Sequence, residues 1–189
     1  MTRRDQRRFG GERALLLASA TLLVMSAAVG AAPRAGSELS QSRAISVSQL
    51  TPSTEECAFL RLVNTHRAAS RLKPLVFSKA LGSSAEHHGA DMASRNYLSH
   101  TLSDGTTWSQ NIRNHTYNHN TYRGENIAAG NATASATFTQ WKNSPAHNSN
   151  MLSAPFTAIG IGMVTNTRAT YKHYWTTIFG GYQDTAGGC

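Results

Sequence analysis

Apolar side chains recur every three to four positions through the middle of the chain, a pattern typical of amphipathic helices. It predicts a first helix from Thr54 to about Ser70 and a second helix that is capped by Ser78 and ends near Arg95. Two shorter helices are predicted at residues 107–113 and 132–141, and Pro145 predicts a further short turn of helix. The domain is therefore expected to begin with helices.

The hydrophobic period changes to two near the C-terminus, which is typical of β-strands. Residues 159–163 and 171–179 are predicted to form two strands joined by a short turn, whereas residues 75–77 are predicted to be an apolar connector. Gly160 and Gly162 share one face of the first strand, and glycines so placed indicate close approach of another element. Helices followed by a hairpin, without βαβ alternation, predict an α+β domain.

The first 32 residues have the layout of a secretory signal peptide. Five arginines precede an apolar run at residues 14–29, and small residues follow at Ala31 and Ala32, where we predict cleavage. A membrane anchor is the alternative interpretation of this run. Residues 33–53 are predicted to be a flexible linker, because they are rich in Ser, Ala, Gln and Arg with little periodicity. We therefore expect a secreted, extracellular protein without a membrane segment after cleavage.

The predicted domain, residues 54–189, carries a modest positive charge. The whole chain has 18 Lys and Arg and 10 Asp and Glu, and removal of five arginines and two acids with the signal peptide leaves a net charge of +5. The basic residues are scattered, whereas a nucleic-acid interface needs them clustered on one face. Nucleic-acid binding is therefore not predicted.

Two cysteines occur, Cys57 and Cys189, and both lie in the predicted mature chain. An even number of cysteines in an exported protein indicates disulfide bonding. Neither has a neighbouring Cys or His at the spacing of a metal site. One disulfide is therefore predicted between the two ends of the domain.

Two histidines and one glutamate stand out among the residues that could carry chemistry. His100 follows the second predicted helix, His147 follows a Ser-Pro-Ala turn, and Glu125 lies in Gly-Glu-Asn-Ile, a glycine-led segment predicted to present the carboxylate from a loop. These residue types form either a half-complete cation site or a base with its orienting partner. His66 and His88 lie on helices, where an ordinary core or surface histidine is the commoner case.

Several catalytic signatures do not occur in the chain. It has no His-Glu-x-x-His zinc motif, no Gly-x-Ser-x-Gly nucleophile elbow and no glycine-rich phosphate loop. The corresponding protease, esterase and nucleotide-binding classes are not predicted.

The order of four segments resembles the CAP superfamily of cysteine-rich secretory proteins, antigen 5 and pathogenesis-related 1 proteins. The likeness covers about residues 55–182, and Gly-Glu-Asn-Ile is its most specific short motif. The matching segments are residues 62–67 with Pro74-Leu75, residues 88–92 with 97–100, residues 124–127 and residues 141–152.

The resemblance implies an α–β–α sandwich with a small antiparallel sheet between helices. It also implies that His100, His147 and Glu125 share one cleft that holds a divalent cation, most often zinc, near a lipid or peptide ligand. Ser144 stands where many eukaryotic members have a second glutamate. The site is therefore expected to lack one acid of the family set.

Three functions follow from these expectations. The leading hypothesis is a non-catalytic binding module with a His/His/Glu cleft. The second is a metal-assisted, peptidase-like hydrolase that uses Glu125 as its base. The third is an extracellular interaction protein with a vestigial cleft. The sequence predicts neither the ligand nor the oligomeric state.

Overall fold

The structure is a computed structural model, and it describes residues 51–189. The signal peptide and most of the linker predicted above lie outside the described residues. Five helices fold around one sheet. The helices are α1 (Thr54–Ala69), α2 (Lys79–Arg95), α3 (Trp108–Asn114), α4 (Ala134–Lys142) and α5 (Pro145–Met151). The strands are β1 (Val76–Phe77), β2 (Arg123–Ala129), β3 (Ala158–Thr165) and β4 (His173–Gly180).

The sheet has four strands in the order β1-β3-β4-β2. β4 pairs antiparallel with both β2 and β3, whereas β1 pairs parallel with β3. The prediction of an antiparallel sheet is therefore corrected to a mixed sheet, because residues 76–77, predicted as a connector, add a short parallel strand at one edge. β2 forms the opposite edge.

Helices cover both faces of the sheet, which confirms the predicted α+β sandwich. Alternate side chains of a strand point to opposite faces. Trp175 and Phe179 of β4 therefore enter one apolar cluster with residues of α1, α4 and α5. Tyr174 and Ile178 point the other way and pack against residues of α2.

The predicted close approach at Gly160 and Gly162 is made by α2. A Cβ atom placed on Gly160 would lie 2.0 Å from the carbonyl carbon of Leu81, and one on Gly162 would lie 2.6 Å from that of Ala85. Both contacts are with backbone, which cannot rotate away. The two glycines therefore let α2, which carries part of the site, lie directly on β3.

A buried arginine ties α1 to the segment that follows α5. Arg67 has no exposure to solvent, and its guanidinium donates hydrogen bonds to main-chain carbonyls instead. These contacts fix the C-terminal end of α5, the helix that carries His147. The four acceptors, at 2.9 to 3.1 Å, are the carbonyl oxygens of Lys73, Met151, Ser153 and Phe156.

The two ends of the domain are joined as predicted. Cys57 in α1 and Cys189 form a disulfide, with their Cα atoms 5.3 Å apart. Across residues 51–189, none of the helices combines the length and apolar character needed to cross a membrane.

Candidate functional site

The site is built on β2, the edge strand that contains Gly-Glu-Asn-Ile. This segment was predicted to be a turn, and that prediction is wrong: Gly124 to Ala129 pair in register with Phe179 to Tyr174 of β4. Glu125 lies opposite Ile178, so its side chain points to the face covered by α2. The Glu125 carboxylate therefore lies on the face of the sheet that α2 covers, and a loop does not carry it.

The carboxylate of Glu125 joins two imidazole rings. Its Oε1 lies 2.7 Å from Nδ1 of His88 on α2, and its Oε2 lies 2.6 Å from Nδ1 of His100. Because an ionised carboxylate only accepts hydrogen bonds, both rings donate from Nδ1. The glutamate side chain is 1% exposed and that of His88 is fully buried, whereas 57% of the His100 side chain is exposed. The buried pair of Glu125 and His88 thus holds the accessible ring of His100 in place.

The loop that carries His100 is anchored by Asp91 of α2. The Tyr97 hydroxyl donates to this carboxylate, and so do the backbone N–H and the hydroxyl of Ser103, at 2.8 and 2.6 Å. Burial raises the pKa of Asp91, but the hydrogen bonds from Ser103 and Tyr97 outweigh it and leave that pKa below its ordinary value. The charged carboxylate therefore fixes both sides of the His100 loop.

Two asparagines attach α5 to the same strand. Asn126 points to the opposite face from Glu125, where its Nδ2 donates to the carbonyl of His147 at 3.0 Å. Asn150 of α5 donates to the carbonyl of Glu125 at 3.0 Å and to Oδ1 of Asn126 at 2.8 Å. These bonds set α5, and with it His147, against β2.

The ring of His147 is held by its own helix and by α4. Its Nδ1 lies 2.9 Å from the hydroxyl of Ser144, and the ring stacks on Trp141 with centroids 5.6 Å apart. Ser144, at the position of the absent family glutamate, therefore orients this histidine. Among residues 51–189, no side chain or backbone group bonds Nε2 of His100 or of His147, and each Nδ1 is already engaged.

The pKa values of His100 and His147 are shifted in opposite directions. The hydrogen bond that His100 donates to Glu125 raises the pKa of His100 above its ordinary value of 6.5, against the opposing effect of burial. Burial lowers the pKa of His147, and the charge of His100 lowers it further. Glu125, which accepts from His100, and Asn126, which donates to the backbone of His147, point to opposite faces of β2.

The comparisons with known proteins agree with this architecture. The model of the cysteine-rich secretory protein family, CAP, matches residues 60–179. The chain belongs to this family. An uncharacterised protein of Bacillus subtilis (strain 168), YkwD, is 33% identical to this CAP domain over 112 residues, which are 59% of this chain and 43% of that protein. The chain thus spans less than half the length of this relative.

Two solved structures have the same fold. One is an extracellular protein containing an SCP domain from Bacillus anthracis str. Ames, with a TM-score of 0.60, 27% identity and coverage of 67% of this chain and 40% of that one. The other is an outer surface protein from Borrelia burgdorferi, with a TM-score of 0.60, 22% identity and coverage of 71% and 98%. The second likeness concerns the fold alone.

The side chains of this CAP domain offer a cation two imidazole nitrogens. Within residues 51–189, no group of three or more His, Cys, Asp or Glu side chains has the arrangement to hold a metal ion. Both oxygens of Glu125 are occupied by histidines, so the predicted third ligand is positioned as a support. Two histidines with Nδ1 held and Nε2 free still match the usual form of ligating imidazoles. A cation bound by both nitrogens would need water to complete its coordination.

Two residues of the site were not predicted from the sequence. His88 was assigned to the ordinary core, and it is buried as expected, but its Nδ1 bonds Glu125. Asn150 was not predicted to be a site residue, although it bridges α5 and β2. A single sequence has no signal that separates a core histidine from one that holds a carboxylate. For His88 the distinguishing fact is the register that places Glu125 on the α2 face.

Proposed function

We propose that this CAP domain is a secreted, non-catalytic binding module whose cleft between His100 and His147 holds a divalent cation, with zinc the first choice. The family membership supports a lipid or peptide as the second ligand. The predicted signal peptide at residues 1–32 supports export. The scattered basic residues give no support to nucleic-acid binding.

The position of Glu125 carries this proposal. A general base must reach the proton that it removes, directly or through one water molecule. The Glu125 side chain is 1% exposed, and each of its oxygens already accepts a hydrogen bond from a histidine. This geometry supports a positioning role for Glu125 and disfavours the peptidase-like hydrolase in which it acts as the base.

The cation would be held by Nε2 of His100 and Nε2 of His147. When bound, it supplies a positive centre that can attract an anionic or carbonyl oxygen of a ligand. Glu125 and Ser144 would keep the two rings in their Nδ1–H tautomers and fix their directions. Ligation requires neutral imidazole, so affinity falls as the pH drops through the raised pKa of His100.

Titration calorimetry with zinc chloride at about pH 7.5, above the ordinary histidine pKa, tests the proposal. His100→Ala and His147→Ala should each lose most of the affinity. Glu125→Gln should weaken binding by about 10- to 100-fold, the usual effect of losing an orienting partner. The matched control is His173→Ala, at the start of β4, which should leave affinity unchanged.

Two results would overturn the cation site. Wild-type affinity in the double His100→Ala/His147→Ala variant would show that zinc binds elsewhere. No measurable affinity in the wild-type protein would favour the interaction protein with a vestigial cleft.

A further inference from the structure

Two histidine rings stack against each other where α3 meets α2. The ring of His87, on α2, lies 5.1 Å from the ring of His115, measured between centroids, and the two planes are inclined by 25°. His115 is the C-terminal cap of α3. Neither ring pairs with Glu125, whose two oxygens accept from His88 and His100. The stack is therefore separate from the candidate cation site, and it joins the two helices directly.

The ring of His87 is oriented by Asn111, a buried residue of α3. The amide nitrogen of Asn111 donates to the carbonyl and hydroxyl oxygens of Ser84, at 2.8 and 2.9 Å. Its Oδ1 therefore faces the other way, and it lies 2.8 Å from Nδ1 of His87. Because an amide oxygen only accepts, Nδ1 of His87 carries a proton. His87 thus bridges the two helices with a fixed ring, and its exposed side chain can take up a second proton at Nε2.

The ring of His115 has no such partner. Its Nδ1 is buried, and no group of residues 51–189 forms a hydrogen bond with it. A proton on this nitrogen would lack an acceptor, so the neutral ring keeps its proton on Nε2. Burial lowers the pKa of His115 below its ordinary value of 6.5, and the charge of His87 lowers it further. The closed stack therefore disfavours protonation of His115.

No opposite charge compensates for a second positive ring in the stack. Across the part of the chain that the structure describes, neither ring forms an ion pair with a carboxylate. On the α2 side, the carboxyl group of Glu86 forms its side-chain hydrogen bond with Glu56 of α1. On the α3 side, the guanidinium of Arg113 donates to Ser109 at 3.4 Å and has the same sign as a protonated histidine. Two protonated rings would therefore repel each other.

α3 is also attached to the loop that carries His100. Thr107, the N-cap of α3, pairs with Thr101 in an isolated antiparallel bridge. The N–H of Trp108 donates to the carbonyl of His100 at 3.3 Å. Movement of α3 away from α2 would therefore displace the backbone of His100.

We propose that the His87–His115 stack is an acid-sensitive latch, which holds α3 and the His100 loop against α2 at neutral pH and releases them in acid. On release, Nδ1 of His115 meets water and the ring takes up a proton. Because the closed state lowers the pKa of His115, the latch is most stable above the ordinary histidine pKa of about 6.5 and weakens as the pH falls below it. The released fraction rises by at most about tenfold for each pH unit. The latch does not require a bound cation.

A shared metal ion matches this pair of histidines less well. A ligating histidine usually donates its other ring N–H to a protein group or to water. Ligation through Nε2 would move the proton of His115 to Nδ1, which is buried and has no acceptor among residues 51–189. The stack is therefore better suited to respond to protons than to hold a metal.

Amide hydrogen exchange followed by NMR at about pH 7.5 and about pH 5.5, on either side of the ordinary histidine pKa, tests the latch. Rates are corrected for the intrinsic effect of pH on exchange. In the wild-type protein, protection of the α3 amides and of the Trp108 N–H should fall several-fold in acid, whereas that of β3 and β4 should not. His115→Phe keeps an aromatic ring in the stack and replaces the unpaired nitrogen by C–H. It should show equal protection of α3 at both pH values.

His119→Phe is the matched control, since His119 lies beyond α3 and stacks on Tyr182 instead of on a histidine. It should keep the wild-type pH dependence. If His115→Phe does not fold, His115→Ala replaces it, and its α3 should be weakly protected at both pH values alike.

Equal protection of wild-type α3 at the two pH values, or a loss in acid that His115→Phe leaves unchanged, would overturn the latch. So would an equal loss in β3 and β4, because the whole domain would then unfold in acid. Loss of protection in α3 while the Trp108 N–H stays protected would overturn the link to His100.

Discussion

At the scale of single residues, Glu125 joins a buried histidine to an exposed one. His88 and His100 donate to its two oxygens, and Ser144 holds His147 on the other side of β2. His100, His147 and Glu125 could be picked out from the sequence because their segments resemble a family. Their roles could not, because occupancy of the carboxylate oxygens depends on the strand register.

The pKa values of His100 and His147 should lie on opposite sides of the ordinary value of 6.5. Glu125 raises the pKa of His100, and burial with the His100 charge lowers that of His147. The His100 pair therefore stabilises the fold at low pH and loses this contribution as the pH rises through the raised pKa. The lowered pKa of His147 has the opposite effect on stability. The unfolded chain binds a proton at His147 more readily than the folded chain does, so this histidine destabilises the fold as the pH falls. Ring-proton NMR titration checks this order, and His147 titrating above His100 would contradict it.

Removing His88 should destabilise the domain more than removing its neighbour His87. In His88→Ala the buried carboxylate of Glu125 loses one partner, which costs about 3–5 kcal/mol of the free energy of unfolding. His87 is exposed at the surface and makes one side-chain hydrogen bond, to Asn111, so His87→Ala should cost about 1 kcal/mol. Urea unfolding measures both. Equal costs would contradict the larger contribution assigned here to the Glu125–His88 pair.

At the scale of elements, prediction succeeded where the residue types favour the element that forms. α1 and α2 were predicted to within a residue or two, and so were β3 and β4. β2 was missed because α2 covers one of its faces and α5 contacts its edge, so residues 124–128 are buried without alternation. Gly, Glu and Asn are also uncommon in strands. The two-residue strand β1 is too short to show any period.

The contact between α2 and β3 should be the least tolerant to added volume. In Gly160→Ala the new methyl group would meet the Leu81 backbone at 2.0 Å, so helix and strand must separate. We expect a loss of at least about 3 kcal/mol in the free energy of unfolding, or failure to fold. Gly188→Ala is the control, because a Cβ there has no atom of residues 51–189 within 4 Å. Similar melting temperatures for the two variants would contradict this packing.

At the scale of the whole molecule, the disulfide closes a loop of 132 residues around the sheet. The chain-entropy model gives such a bridge a stabilisation of about 4–5 kcal/mol, as an upper figure. Its pairing could be predicted because only two cysteines occur in the chain. The parallel pairing of β1 with β3 could not, since it depends on contacts between distant segments.

Cys189→Ser should lower the melting temperature, and a reductant should lower that of the wild-type protein to a similar value. The fold and the contacts of Glu125 with His88 and His100 should survive, because neither they nor the core involve either cysteine. Calorimetric melting with and without dithiothreitol measures this. A reductant that leaves the wild-type melting temperature unchanged would show that the bridge does not form.

The most direct measurement of the central claim is nitrogen-15 NMR of the histidine rings during titration with zinc. If the cleft is a two-histidine cation site supported by Glu125, the Nε2 signals of His100 and His147 should shift together. The Nδ1 signals of His88 and His100 should keep the signature of N–H groups bonded to a carboxylate. Zinc binding that leaves both Nε2 signals unmoved, or that removes the Nδ1 proton of His100, would contradict this account.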